Sequence, residues 1–298
     1  MTRSNSVLRA ILVAISILAS SHSSAFDITS MVVKSAIKNL SGGHQYTSGT
    51  ISEADALGLY SAQQRRLSFQ ACSDQFPARK PLTTAIVPAA MKPLALCSDH
   101  FAVLYSQTSK TPLVVVERLS AEQLRDAKGE ERTDQFYPDP RIPTGGRAEL
   151  SDYRSQSPAV DRGHNAPAAD APNQRAMAQS FALSNMVPQD PTNNRKIWSK
   201  IESDVRKFVQ RAPGNVYVFT GPIFDQGHET IGANKVWKPT RLFKLVYDES
   251  SRRAWAYVLA NAEVRIERPM AYQQFVATSG LHLLDGHLVS GTTSRSGL

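Results

Sequence analysis

Between Asp161 and Asp170 the chain reads DRGHNAPAAD, with a histidine directly after a glycine and an aspartate and an arginine ahead of it. The prolines that follow exclude a regular helix, so the sequence predicts an irregular backbone presenting the imidazole of His164. A histidine titrates near neutrality, which suits it to take a proton from water and makes His164 the candidate general base. A second polar set follows, SNMVPQ at Ser184–Gln189 and then the stretch from Asn193 through Arg206. In a helix, Asn194, Trp198, Glu202 and Arg206 recur every four residues and drift only slowly around the axis. An amide oxygen and a carboxylate two turns apart suit a hard cation, with Asn194 binding it directly and Glu202 through a water. On these residues alone two plainer alternatives stand beside that chemistry: a hydrogen-bonded structural histidine, and a solvated helix face closed by a Glu202–Arg206 pair.

Together these stretches resemble the DNA/RNA non-specific endonuclease family, the ββα-metal nucleases of the Serratia nuclease and endonuclease G type. The resemblance runs through D-R-G-H at Asp161–His164 with Pro167 behind it, S-N-x-x-P-Q at Ser184–Gln189, and N-x-x-x-W-x-x-x-E-x-x-x-R from Asn194 to Arg206. Arg132 ahead of Phe136 and Asp139, the Thr220-Gly221-Pro222 turn and Pro239-Thr240 fall in the same order, so it spans roughly Cys72 to Leu284. It implies that His164 activates water for attack on phosphorus. Asn194 is then the main direct ligand of a magnesium ion, with manganese as the alternative, and Glu202 acts on that ion through water. The resemblance places Arg132, Arg162 and Arg206 near the scissile phosphate, Arg132 and Arg206 to stabilise charge and Arg162 partly to brace the motif. Asn185 is expected to support the site by hydrogen bonding. DNA and RNA are the implied substrates, held by backbone phosphates and cut with little sequence preference to products carrying a 5′-phosphate. Two departures stand out: Asn165 replaces the apolar residue usual after D-R-G-H, and residues 26–68 have no recognised counterpart.

The elements that must position these residues are partly legible. FAVLYS at Phe101–Ser106 and PLVVVERL at Pro112–Leu119 read as the strands of a hairpin. Further strands are expected at Asn215–Thr220, Leu242–Tyr247 and Ala254–Leu259. Helices are expected over Ser52–Arg66, with Ser52 and Asp55 as a cap, over Ala121–Lys128, over Asn173–Ser180, and from Asn193 to Gln210. The stretch through Pro138, Pro140 and Pro143 to Gly145-Gly146 reads as loop. Runs of strands with helices inserted locally point to an α+β fold on a mostly antiparallel sheet, to which the resemblance adds a ββα-metal motif. The expected organisation is a signal peptide at 1–25, an N-terminal extension of unreadable role at 26–68, and a nuclease domain at 69–298.

Arg3 and Arg9, the apolar run at Ala10–Ala19 and the small residues Ser23-Ser24-Ala25 read as a secretory signal cleaved after Ala25, giving a periplasmic or secreted product. No later stretch approaches about eighteen consecutive apolar residues, so no membrane contact is expected after cleavage. Cys72 and Cys97 are the two cysteines, and an oxidising compartment predicts a disulfide between them. The formal charge of +8, or +6 without Arg3 and Arg9, suits a polyanionic partner. Zinc hydrolases, nucleotide-driven enzymes and serine hydrolases are disfavoured, because H-x-x-x-H, G-x-x-x-x-G-K-[ST] and G-x-S-x-G are all absent. The competing reading is a basic exported protein that binds DNA or another polyanion without cutting it. Nothing in the sequence speaks to a protein partner or a dimer.

Overall fold

The computed structural model describes residues 51–290, so the expected leader at 1–25 and residues 26–50 of the expected extension lie outside the described residues. The strands are β1 (Pro93–Cys97), β2 (Phe101–Ser106), β3 (Thr111–Leu119), β4 (Asp161–His164), β5 (Met186–Gln189), β6 (Val216–Ile223), β7 (Thr230–Ile231), β8 (Val236–Trp237), β9 (Arg241–Asp248), β10 (Arg253–Ala260) and β11 (Met270–Ala271). Seven of them form one antiparallel sheet in the order β1-β2-β3-β6-β9-β10-β11, while β4 pairs with β5 and β7 with β8 in separate hairpins. The α-helices are α1 (Glu53–Gly58), α2 (Ala121–Asp126), α3 (Gln174–Ser180), α4 (Ser199–Val209) and α5 (Tyr272–Ser279). The architecture is α+β on an antiparallel sheet. No helix among the described residues is long and apolar enough to cross a membrane.

Both faces of the sheet are covered, which is why its strands read as unbroken apolar runs and not as alternating ones. Side chains still alternate between faces. Val114 and Val116 of β3, Tyr217 and Phe219 of β6, and Phe243 and Leu245 of β9 pack on one face with Phe275 of α5 and with Cys72 and Cys97. Cys72 and Cys97 are joined as a disulfide, with Cα atoms 5.5 Å apart. The other face takes Val216, Val218, Leu242 and Val246, and against it lie Ile197, Ile201, Val205 and Val209, spaced four residues apart along one stripe of helix. Glu117 of β3, Thr220 of β6 and Lys244 of β9 belong by the same alternation to this second face, and all three are buried.

Several expectations change. The helix expected over Ser52–Arg66 ends at Gly58, although its cap is present, with Asp55 N donating to Ser52 Oγ at 3.1 Å. Residues 51–60 are seated on the domain: Ala56, Leu59 and Tyr60 pack with Tyr137, Met177 and Phe181, and the Tyr60 and Tyr137 hydroxyls lie 2.9 Å apart. The helix expected from Asn193 begins as a π-helix over Asn193–Trp198 and becomes α-helical only at Ser199. Asp161–His164 is a strand and not irregular backbone, because Pro167 lies beyond it and leaves the strand's own pairing intact. Strand β1, the two-residue strands and α5 are additional to the sequence reading.

Candidate active site

The β4–β5 hairpin sets His164 opposite Met186 and Asp161 opposite Gln189. It closes so tightly around Gly163 that a Cβ there would lie 2.0 Å from Gln189 Oε1 and 2.7 Å from Gln189 Cβ. Beyond His164 the chain is fixed by Asn185. Its amide oxygen accepts from Ala166 N at 2.9 Å, and its amide nitrogen donates to the Ala166 and Ser180 carbonyls, each at 2.9 Å. Asn165 is buried and donates through Nδ2 to the Asn185 carbonyl at 3.0 Å, so the polar departure after D-R-G-H has a partner. Beneath them Asp139 accepts from Ser184 Oγ at 2.6 Å and from Arg141 Nη2 at 2.6 Å. Burial works against the Asp139 carboxylate, but Arg141 and Ser184 more than offset it and hold it ionised below its ordinary range.

The His164 ring meets Phe181 edge-on, centroids 4.9 Å apart, and its Nε2 is buried with no hydrogen-bond partner. Burial first, and then the positive charges of Arg132 and Arg162, lower its pKa to about 3. At neutral pH the imidazole is therefore uncharged, the form a general base requires, and the same shift makes it a weaker base than an ordinary imidazole. Arg132 is half exposed and pairs with Asp134 at 2.6 Å, while Arg162 stacks over Phe136 at 4.1 Å.

At the start of the π-helix, buried Asn193 accepts from Gln189 Nε2 at 2.8 Å and donates to the carbonyls of Ala260 and Ala262 at 3.0 and 2.9 Å. This pins the helix start to β5 and to the end of β10. Asn194 next to it donates through Nδ2 to Asp161 Oδ2 at 2.8 Å, which turns its amide oxygen away from Asp161. Arg195 forks onto the same carboxylate at 2.8 and 2.6 Å. Two turns on, Glu202 makes no ion pair with Arg206, which donates instead to Asp170 Oδ1 at 3.1 Å. Burial raises Glu202 to about 7. Lys244 works against the rise, Asp170 adds to it, and Arg206 and Arg132 oppose it. Lys244 is itself buried, donates to Thr220 Oγ1 at 2.7 Å and lies 5.6 Å from the Trp198 ring. The hydrogen bonds of Asn194 and Arg195 to Asp161 of β4 join the start of the helix to the hairpin that carries His164.

Of the residues expected at the site, Arg162 and His164 lie on β4, Arg132 and His164 both approach the Phe181 ring, Asn185 holds the loop after His164, Asn194 bonds Asp161 of β4, and Glu202 and Arg206 lie on α4. Those absent from the sequence reading are Asp161 as partner of Asn194, Asp170 as partner of Arg206, Lys244, and the rings of Phe136 and Phe181. A signal existed for Lys244, since a lysine inside the apolar run LFKLVY has to be buried and partnered. The donor set fits a small hard cation: the Asn194 amide oxygen, its orientation set by the Asp161 hydrogen bond, beside a carboxylate. An ion that keeps most of its water requires little more from the protein.

The family model described as DNA/RNA non-specific endonuclease matches residues 80–282. Nuclease 1, mitochondrial, of Schizosaccharomyces pombe is 33% identical over 186 residues, covering 56% of this chain and 57% of the relative. Endonuclease G, mitochondrial, of Homo sapiens is 35% identical over 180 residues, 56% of this chain and 59% of the relative. The chain thus spans little more than half the length of these relatives. Among solved structures, that of the EndoG/EndoGI complex superposes with a TM-score of 0.57 at 28% identity, covering 63% of this chain and 84% of that one. The periplasmic or secreted location expected from residues 1–25 is corrected by these relatives, whose names place them in mitochondria. The reason is compositional: an arginine-bearing, serine-rich segment without an acidic residue meets the pattern of a mitochondrial transit segment as well as that of a secretory leader.

Proposed function

Because the chain belongs to the DNA/RNA non-specific endonuclease family, we propose that it is a magnesium-dependent nuclease that hydrolyses phosphodiester bonds of DNA and RNA. The observation that carries this reading is the strand Asp161–His164, which presents the imidazole beside Arg132 and Arg162 at one end and orients the Asn194 amide through Asp161 at the other. His164 takes the proton of the attacking water as that water approaches phosphorus. Burial first, and then the positive charge of Arg132 and Arg162 beside it, keep the imidazole neutral before the reaction, and that charge favours an anionic phosphate in the same place. Asn194, its amide set by Asp161, would hold the ion directly, and Glu202 would act on it through water. Arg206, held on Asp170, adds to the charge that stabilises the phosphate. When bound, the ion supplies Lewis-acid stabilisation of the phosphate and the leaving oxygen, and manganese can serve in its place. Asn185 keeps the loop after His164 in register through its backbone hydrogen bonds. Departure of the 3′ oxygen leaves a 5′-phosphate, and contacts limited to backbone phosphate give little sequence preference.

The test uses supercoiled plasmid and RNA, with magnesium, with manganese or with chelator. Both substrates should be degraded only with the ion, and His164→Ala and Asn194→Ala should each lower the rate by at least about a hundredfold. A folded wild-type protein that binds these polyanions with the ion present and never cuts them sinks the reading.

A further inference from the structure

Phe136 and Phe181 touch three of the groups assigned to the chemistry. The two rings meet edge to face with centroids 4.9 Å apart. The His164 ring lies 4.9 Å from Phe181 at 87° and 5.7 Å from Phe136 at 57°. The guanidinium carbon of Arg132 is 5.0 Å from the Phe181 centroid, and that of Arg162 is 4.1 Å from the Phe136 centroid. The backbone fixes the rings to each other, since Tyr137 N donates to the Phe181 carbonyl at 3.3 Å and Leu183 N donates to the Tyr137 carbonyl at 2.8 Å.

Two like charges flanking one imidazole repel each other and pull toward solvent unless something holds them. A carboxylate can hold an arginine, as Asp134 holds Arg132 at 2.6 Å, but it offsets part of the charge. An aromatic face attracts the guanidinium through its quadrupole and leaves the net positive charge in place for an incoming anion. Edge-on contact with Phe181 also restricts the rotation of a ring whose buried nitrogen has no hydrogen bond to fix it. We infer that Phe136 and Phe181 are positioning residues, a two-ring cradle that orients His164, packs beside the Asp134-held Arg132 and seats Arg162 with its charge still available to phosphate. The identity of the anion rests on the nuclease reading above.

Phe136 is the residue to change, because it is only half buried and Phe136→Leu keeps an apolar side chain of similar reach. In Phe136→Leu, kcat on plasmid should fall about tenfold with KM within about threefold of wild type, while Phe136→Tyr, which keeps the ring face, should stay within about threefold in both. A spectroscopic readout separates positioning from packing. The Arg162 Nε–H resonance should show the upfield ring-current shift in wild type and in Phe136→Tyr and lose it in Phe136→Leu, with melting temperatures close throughout. The cradle is overturned if Phe136→Leu keeps kcat within twofold, if Phe136→Tyr is as impaired as Phe136→Leu, or if the Arg162 resonance is the same in all three. A wild type without ion-dependent cleavage overturns the nuclease reading and not the cradle, which the Arg162 resonance then decides.

Discussion

His164 and Glu202 respond to pH in opposite directions. His164 titrates in the folded protein at about 3 against an ordinary 6.5, so between those values the unfolded chain binds the proton and the folded protein does not. Stability from this group is present above about 6.5 and is lost as the pH falls. Glu202 titrates at about 7 against 4.5, so in the window between them the folded protein holds a proton that the unfolded chain has released, and stability falls as the pH rises. From about pH 6.5 down to 4.5 the two slopes oppose each other. In His164→Ala only the Glu202 slope remains, so its melting temperature relative to wild type should climb steadily as the pH is lowered through that window. Glu202→Gln should move the other way. Thermal melts in chelator across the window test both variants, and curves that run parallel to wild type would refute the assignment of these shifts.

The β4–β5 hairpin and the helix that follows it act as one element, because Gln189 is shared between them. Its side chain lies over Gly163 on one side, and its Nε2 donates to Asn193 on the other. Gly163→Ala would therefore disturb His164 and Asn194 together. Nuclease activity should fall by roughly a hundredfold or more, with Gln189→Ala restoring only part of it, since removing the amide relieves the 2.0 Å contact to Oε1 but not the 2.7 Å contact to Cβ. Kinetics of the single and double variants measure this, and a Gly163→Ala protein with near-normal activity would mean that the hairpin opens easily. The same hairpin marks how far the sequence could be read. The residue types and spacings suggested the candidate site, because D-R-G-H and the four-residue stripe from Asn194 to Arg206 are local patterns. Central strands were legible from their apolar runs. The strand character of Asp161–His164 was not, because it depends on pairing with Met186–Gln189 more than twenty residues away. The π-turn at Asn193 depends on the carbonyls of Ala260 and Ala262, which no local pattern announces. The Asp170 partner of Arg206 was hidden for the same reason, since a helix alone suggests Glu202 at four residues' distance.

The whole molecule divides its labour between the two faces of the sheet. Residues Val115, Glu117 and Leu119 of β3 point to the side that carries the helix and the charged groups beneath it, while Val114 and Val116 point to the side holding α5 and the Cys72–Cys97 bond. Stability and chemistry can therefore be separated by experiment. The disulfide closes a loop over a sequence separation of 25, for which the chain-entropy account gives about 3 kcal/mol. For a domain of this size that corresponds to a melting temperature lower by roughly 6–12 °C. Cys72→Ser/Cys97→Ser should show that loss, as should wild type in excess reductant, and both should retain ion-dependent cleavage within about twofold at 25 °C, since neither sulfur belongs to the clusters that carry His164 or Asn194. Melts and plasmid assays run on the same samples decide the matter. An unchanged melting temperature would mean that the face carrying α5 is held by Phe69, Phe76 and Phe275 without the bond, whereas lost cleavage at full fold would mean that strain passes through the sheet from one face to the other.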